Sequence, residues 1–276
     1  MLIKARRPDM NKLKKRLCAL LCTTMLIGTA GAAYATSDFT NDMKMSVPSR
    51  LTTQEGAASI EREYDHPDSP YFAHPDFYHM KSAASRTMLT GYQTFQQTSE
   101  WSCGPAAALT VLQWYGRADG WDEQKLADLR HPLKDVTVPG FPNGYPGTTL
   151  RQMKDIFDGV GGFHYISSSD YQKEGKTLSA SDVRKFLKEG HPILVCWIDW
   201  SGHWQTIIGY DDMGTANEAD DVIIVADPYD TTDHNQDGYG IYSWQRFQSM
   251  FSMYNQFPES EGGSNQLFLV PIPDKK

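Results

Sequence analysis

The hydrophobic pattern from residue 88 onward begins with segments of helical spacing. Four helices are predicted, over residues 105–115, 121–129, 149–157 and 181–189. The first is nearly all apolar with Pro105 near its start, which is typical of a buried helix. Ser181 and Asp182 are expected to cap the fourth helix, and Gly190 is expected to end it.

Beyond residue 190 the pattern changes to short apolar runs that are typical of strands. Strands are predicted over residues 192–199, 203–210, 221–227, about 239–242 and 266–272, with a short helix at 243–251. Helices that come first and an antiparallel sheet that follows make an α+β arrangement. This is the fold class that the pattern predicts.

The N-terminal segment has the order of a secretory signal peptide. Seven Lys or Arg residues precede an apolar run from Leu17 to Ile27, and small residues then end in Ala33-Tyr34-Ala35. The apolar run is too short to span a bilayer. We therefore expect cleavage after Ala35, a secreted or periplasmic protein, and no stable membrane insertion after cleavage. An uncleaved membrane anchor is the alternative.

The chain is thus predicted to have three parts: a signal peptide (1–35), an extension (36–87) and one domain (88–276). Pro-containing steps break any periodicity in the extension, which is typical of a linker. A removed pro-segment and a strap over the surface of the domain are equally consistent with that composition.

Charge limits the partners of the domain. The formal net charge of the chain is −8, but the first 35 residues carry +6, so the remainder carries −14. A body this acidic is a poor partner for nucleic acid or anionic lipid, and we expect neither. Aromatic residues make up 12% of the chain and no repeat recurs, which excludes disorder and coiled coils.

Two cysteines lie downstream of the predicted signal peptide, in different settings. Cys196 lies in a continuous apolar run, so we expect a buried, unpaired residue that packs as a small hydrophobe. Cys103 comes just before the Pro-started helix, near the positive end of the helix dipole, where the thiolate is favoured. Gly104 then allows backbone N–H groups to face a developing oxyanion. Two alternatives stay open at this point: a helix-start Cys103 that only packs, and a Cys103–Cys196 disulfide in an oxidising compartment.

A histidine and an acid lie at the ends of two predicted strands. His203 opens one strand and Asp227 ends the next. A hairpin register that aligns His203 with Asp227 also pairs Ile207 with Ile223 and places the turn in a polar, turn-forming stretch. An acid in this position orients an imidazole. Together with Cys103, these residues form a Cys–His–Asp arrangement for nucleophilic acyl chemistry.

The order of Gln97, Cys103-Gly104, His203 and Asp227 resembles that of the papain-like cysteine peptidases. The chain is most similar to the double-glycine leader peptidases, which are domains of bacteriocin exporters, and to their free-standing secreted relatives, over roughly residues 88–272. The resemblance implies a papain-like fold, with the nucleophile at a helix start packed on a C-terminal antiparallel sheet. It also implies hydrolysis of a peptide or protein substrate, with no cofactor required.

The same resemblance assigns roles to individual residues. It implies that Cys103 is the nucleophile, His203 the general base, Asp227 the orienting acid and Gln97 the oxyanion donor, with Gln96 as the alternative donor. A transglutaminase-like acyltransferase or amidase uses the same Cys, His, Asp order. A catalytically silent module that binds peptides or cell-wall material is a further alternative, so three functions stay open.

A stretch after Asp227 has the spacing of a calcium loop. Asp233, Asn235 and Asp237 offer oxygen ligands at alternate positions, and Gly238 stands at the sixth position. Trp244 occupies the twelfth position, where the bidentate Glu of such loops belongs. A hairpin loop rich in Asn, Asp and Gly also produces this spacing without an ion, so a structural calcium and an empty loop both remain open.

Overall fold

The computed structural model describes residues 70–133, 144–231 and 233–275. The predicted signal peptide and its cleavage site at Ala35 lie outside the described residues. The helices are α1 (Cys103–Trp114), α2 (Glu123–Asp128), α3 (Leu150–Val160), α4 (Ser168–Lys173), α5 (Ala180–Lys188) and α6 (Trp244–Met250). The strands are β1 (Arg86–Met88), β2 (Phe163–Ser167), β3 (Ile193–Trp197), β4 (His203–Asp211), β5 (Val222–Ala226), β6 (Tyr239–Ser243) and β7 (Leu267–Pro273).

The strands form one antiparallel sheet in the order β2-β7-β3-β4-β5-β6. β3 pairs with the first half of β4, from His203 to Ile207, and β1 pairs with its last three residues, Gly209 to Asp211. β5 occupies the opposite edge of β4. The short β1 therefore continues the line of β3, and β4 lies at the centre of the sheet.

The α+β prediction is confirmed, because helices and a mostly antiparallel sheet make up the described chain. All predicted helices and strands are present, with ends that differ by a few residues. The predicted cap of α5 is wrong: Ser179 is the N-cap, and Asp182 closes a capping box with it instead of capping the helix itself. The prediction also missed β1, β2 and α4.

Side chains alternate between two cores on the two faces of the sheet. In β3, Val195 and Trp197 belong to one core, whereas Leu194 and Cys196 belong to the other. Residues of α5 and α6 fill the first core, and residues of α1 and α3 fill the second. α1 is buried along most of its length, which accounts for its nearly all-apolar sequence.

The described part of the predicted extension is integrated into the domain. We call residues 70–92 the N-terminal strap. Phe77 is 5% exposed in the first core, and its ring centroid lies 5.9 Å from that of Tyr239. Leu89 donates its N–H to the carbonyl of Ile208 at 2.9 Å, just beyond the β1–β4 pairing. The strap thus supplies both a strand and core side chains. No helix among the described residues is long and apolar enough to cross a membrane.

Candidate active site

Cys103 is the first residue of α1, at the end of a tightly hydrogen-bonded turn. The Ser99 hydroxyl donates to Ser102 Oγ at 2.7 Å, and Ser102 Oγ donates to the Ser99 carbonyl at 3.3 Å. The buried Glu123 of α2 accepts the N–H of Thr98 at 3.1 Å and its hydroxyl at 2.5 Å. These bonds fix the segment before the thiol. Cys103 itself is 7% exposed.

Gly104 is needed because Thr148 packs against the start of α1. A Cβ atom built on Gly104 would lie 2.5 Å from Thr148 Oγ1, a separation that real Cβ atoms do not show. Thr148 in turn accepts a hydrogen bond from Arg130 at 2.9 Å and offers its carbonyl to the indole of Trp204 at 2.7 Å. The residue after the cysteine is therefore constrained by packing on the Thr148 side.

His203 and Asp227 are in direct contact. His203 Nε2 donates to Asp227 Oδ1 at 2.6 Å, and both side chains are buried. A carboxylate can only accept, so Nε2 carries the hydrogen and Nδ1 is the nitrogen left for another partner. Cys103 lies close enough to His203 to raise the pKa of the imidazole, through a side-chain hydrogen bond and through its charge. The structure thus brings Cys103, His203 and Asp227 together.

The hairpin register behind this contact differs from the predicted one. Ile207 pairs with Val225 instead of Ile223, and the register shifts once more between Ile207 and Gly209. On the His203 side of this shift the displacement is two residues, which keeps the side chains there on their original face of the sheet. Asp227 therefore still faces the side of β4 that carries His203, although it lies nearer to Gln205 along the strand.

The electrostatics of the site favour a protonated His203. Burial alone lowers the pKa of His203, but the charge of Asp227 and the hydrogen bonds to Asp227 and Cys103 outweigh it and raise this pKa to about 10. Below that pH the imidazole is an imidazolium held between a carboxylate and a sulfur atom. An imidazolium in this position can give its proton to a group that reacts at the neighbouring thiol.

Gln97 is fixed beside the same turn. Its backbone N–H donates to the carbonyl of Pro228 at 2.8 Å, which ties it to the chain just after Asp227. Its side-chain Nε2 donates to the carbonyl of Ser99 at 2.6 Å, and Oε1 is buried without a hydrogen-bond partner. One amide hydrogen is thus bound, and a second remains on a fixed nitrogen. Both side-chain polar atoms of Gln96, the alternative donor, are buried without a partner.

Three residues that the sequence analysis did not single out adjoin this site. Arg130 stacks over Trp101, with its Cζ atom 5.0 Å from the ring centroid. Burial lowers the pKa of Arg130, and the charge of the nearby Cys103 opposes that shift. The guanidinium is therefore a cation close to the nucleophile. Tyr145 lies beside Gly202, where a Cβ atom added to the glycine would be 3.6 Å from Tyr145 Oη. Burial raises the pKa of Tyr145, so its hydroxyl keeps its proton. Both come from loops, where no periodicity marks them.

Tyr229 is the third residue, and it connects the two sides of the site. Its backbone N–H donates to Asp227 Oδ1 at 2.8 Å, and its ring meets that of His203 edge-on with centroids 6.4 Å apart. Its hydroxyl donates to Glu100, three residues before Cys103, at 3.1 Å. The ring therefore helps to cover the His203–Asp227 pair.

Cys196 is buried, and both Cys103 and Cys196 are free thiols, so the predicted unpaired state is confirmed. Burial raises the pKa of Cys196 well above its ordinary value, with a further contribution from the charge of Cys103. An uncharged thiol in an apolar core is inert. Of the two cysteines, Cys103 is the one placed for chemistry.

The predicted calcium loop is closed by its own hydrogen bonds. Asp233 Oδ1 accepts the N–H of Asn235 at 3.0 Å, and Asn235 Nδ2 donates to Asp237 Oδ2 at 2.9 Å. Within residues 70–133, 144–231 and 233–275, no group of three or more His, Cys, Asp or Glu side chains could hold a metal ion. Asn235 is outside that set of residue types, and calcium binding by Asp233, Asn235 and Asp237 stays a prediction.

A comparison with known protein families assigns the chain to one of them. The family model of the Peptidase_C39 like family matches residues 89–257, a span that contains Cys103, His203 and Asp227. The chain belongs to this family. Membership of the Peptidase_C39 like family supports a peptidase, which is a hydrolase, and agrees with the predicted papain-like arrangement. No curated protein matches the chain.

Proposed function

We propose that the chain is an extracytoplasmic cysteine peptidase that hydrolyses peptide bonds with Cys103, His203, Asp227 and Gln97. The observation that carries the proposal is the fixed imidazole: Nε2 of His203 is bound to Asp227 at 2.6 Å, which leaves Nδ1 for the thiol of Cys103. A cysteine paired with an oriented base is the arrangement of an activated nucleophile.

The first half of the proposed reaction forms an acyl-enzyme. The Cys103 sulfur attacks the carbonyl carbon, a C–S bond forms, and the π electrons move to the carbonyl oxygen. The free amide hydrogen of Gln97 and a backbone N–H at the start of α1 donate to this oxyanion, since the first N–H groups of a helix lack partners within it. The electron pair of the oxyanion then re-forms the C=O bond, the C–N bond breaks, and the His203 imidazolium gives its proton to the leaving amine.

The second half releases the acid. Neutral His203 takes a proton from water, the resulting hydroxide oxygen attacks the thioester, and the C–S bond breaks to return the Cys103 thiolate and the imidazolium. Asp227 keeps its negative charge throughout and stabilises the imidazolium in both halves. In this proposal, a structural calcium at Asp233, Asn235 and Asp237 would stabilise the loop after Asp227 and take no part in the reaction.

Peptide hydrolysis can be tested with the protein starting at Thr36 and its Cys103→Ala variant. Both are incubated with a peptide library, and new termini are read by mass spectrometry. We expect new termini with the parent protein alone. A second incubation with a primary amine distinguishes hydrolysis from acyl transfer, because a transferase gives amine-capped products. Peptide binding without either product would overturn the proposal in favour of a binding module.

The extracytoplasmic location rests on the sequence pattern of residues 1–35. N-terminal sequencing of the exported protein tests it, and we expect a start at Thr36. A protein that retains the segment from Met1 to Arg16 would be membrane-anchored instead. A start near residues 80–90 would support removal of a pro-segment.

A further inference from the structure

The buried side chain of Gln205 binds the oxygen of Asp227 that His203 does not use. Gln205 Nε2 donates to Asp227 Oδ2 at 2.7 Å, while Oδ1 accepts from His203 Nε2 and from the backbone of Tyr229. Both oxygens of the carboxylate are therefore occupied by donors. The plane of the carboxylate, and with it the direction of Oδ1 toward the imidazole, is fixed from both ends.

The orientation of the Gln205 amide is set by an indole. Trp197 Nε1 donates to Gln205 Oε1 at 2.8 Å. The indole N–H can only donate, so it must face the oxygen of the amide, and the NH₂ group is turned toward Asp227. Trp197 ends β3 and pairs with His203 on β4, so this orienting bond lies within the sheet that also positions the imidazole.

The charged and titratable groups around Gln205 favour an uncharged hydrogen-bond donor at this position. Gln205 Nε2 also lies 3.3 Å from Tyr242 Oη, and the Tyr242 hydroxyl donates to Asp199 Oδ2 at 3.3 Å. Burial raises the pKa of Tyr242, with help from the charges of Asp227 and Asp199, so Tyr242 keeps its proton. Burial also raises the pKa of Asp199. A cation at position 205 would compete with the imidazolium for Asp227, whereas an amide does not.

Burying an amide has a cost unless its groups are bonded, and the fully buried amide of Gln205 is bonded through its oxygen to Trp197 and through its nitrogen to Asp227 and Tyr242. We infer that Gln205 is a positioning residue, which holds Asp227 so that His203 presents Nδ1 to Cys103. This inference rests on the proposed function, because it assigns Gln205 a part in the same reaction.

The test uses two substitutions of Gln205, in the protein starting at Thr36. Gln205→Met keeps the length of the side chain but removes the donor, and we expect kcat to fall about 10–100-fold, the effect of one hydrogen bond to a charged group, with little change in KM. Gln205→Glu introduces a carboxyl group that donates to Asp227 only when it is protonated. We therefore expect its kcat/KM, relative to the parent protein, to rise at least about tenfold from pH 8 to pH 5.

A third variant provides a test of the same inference if Gln205→Met does not fold. Trp197→Phe keeps an aromatic ring but removes the N–H that orients Gln205, and we expect about a fivefold loss of kcat, the effect of one neutral hydrogen bond. The matched control is Gln152→Met. Gln152 is also buried, accepts from Thr149 N at 3.0 Å and donates to the carbonyl of His131 at 2.8 Å. Its loss should lower the melting temperature without changing the pH profile.

The outcomes separate this inference from the proposed function. If the parent protein has Cys103-dependent activity, but Gln205→Met is folded with unchanged kcat, the inference on Gln205 is wrong and the proposed function stands. The inference is also wrong if the kcat/KM of Gln205→Glu relative to the parent protein does not change with pH. If Gln205→Met does not fold, unchanged activity of Trp197→Phe would overturn it as well. If activity survives Cys103→Ala, the proposed function itself fails.

Discussion

Thr148 fills the space beside Gly104 in which any side chain would have to lie. A Cβ atom at position 104 would come within 2.5 Å of Thr148 Oγ1. A Cβ atom at Gly240 on β6 would meet only Val225 Cγ2 at 3.5 Å, which is an ordinary contact. Gly104→Ala should therefore displace the start of α1 and destabilise the protein by about 1–3 kcal/mol. Labelling of Cys103 by iodoacetamide should slow. Gly240→Ala is the matched control, and equal losses in both variants would contradict the prediction.

Asp227→Asn should change the pH dependence of peptide cleavage. The charge of Asp227 is the main contribution that raises the pKa of His203, to about 10. Asparagine has no charge, so the imidazolium should lose its proton at a lower pH, and the alkaline limb of kcat/KM should move down accordingly. The measurement is the pH profile of both proteins with the best-cleaved library peptide. His203→Ala should lose several orders of magnitude at every pH. An unmoved alkaline limb in Asp227→Asn would count against the assigned roles.

The two neighbouring glutamines can be distinguished by their effect on rate. Gln97→Ala should lower kcat on the order of 10²–10³-fold, because one oxyanion donor is lost. Iodoacetamide labelling of Cys103 should be largely unaffected, since alkylation forms no oxyanion. Gln96→Ala is the matched control and should have a small effect on kcat. The reverse ranking would assign the oxyanion to Gln96.

The N-terminal strap should be required for stability. Phe77 is 5% exposed, whereas Phe72 in the same strap is 41% exposed. Phe77→Ala should reduce the free energy of unfolding by about 3–5 kcal/mol, because it leaves a cavity in the core. Phe72→Ala should have a much smaller effect. Urea denaturation measures both. Equal stability of the two variants would mean that the strap is dispensable, as expected of a removed pro-segment.

Stability should also depend on His131, which lies between two acids. His131 Nε2 is 3.2 Å from Glu261 Oε1, and Nδ1 contacts Asp155. Burial lowers the pKa of His131, but the hydrogen bonds and charges of Asp155 and Glu261 outweigh burial and raise it. The folded protein thus binds this proton more tightly than the unfolded chain. The stabilisation is complete below the unfolded pKa of about 6.5 and disappears as pH rises through the folded pKa.

His131→Gln should accordingly reduce the free energy of unfolding more at pH 5 than at pH 9. Denaturation at both values measures the difference. The control is His79→Gln, which removes an exposed ion pair with Asp76. We expect little change from it, since exposed pairs contribute little. A His131→Gln effect that grows with pH would have the wrong sign for this interpretation.

Sequence periodicity located the elements of the core but not those held by pairing alone. β3 and β5 are continuous apolar runs, so their existence follows from burial. β1 has only three residues and is a strand because β4 offers it a free edge, a fact that no local pattern contains. The bulge between Ile207 and Gly209 is of the same kind, and it accounts for one of the three residues by which the pairing at Tyr210 and Ile223 differs from the predicted register.

The candidate site was predictable where a strand end or a helix start carried it. Cys103, His203 and Asp227 all occupy such positions. Gln205 was within reach as well, because it lies two residues from His203 and so shares its face of β4. Arg130 and Tyr145 arrive from loops whose path depends on long-range packing, and no spacing in the sequence indicates them.

The bulge in β4 also bears on how this hairpin can vary in length. Its extra residue lies between the β4–β5 loop and the end of the hairpin that carries His203, where Thr206 pairs with Ala226. In a β4 without the bulge, a one-residue deletion in the strand would change the pairing by one position and turn the histidine away from its acid. Loss of the bulge can absorb the deletion instead. The loop itself is exposed over residues 213–220, and this is the part of the hairpin best suited to natural insertions or to an engineered reporter.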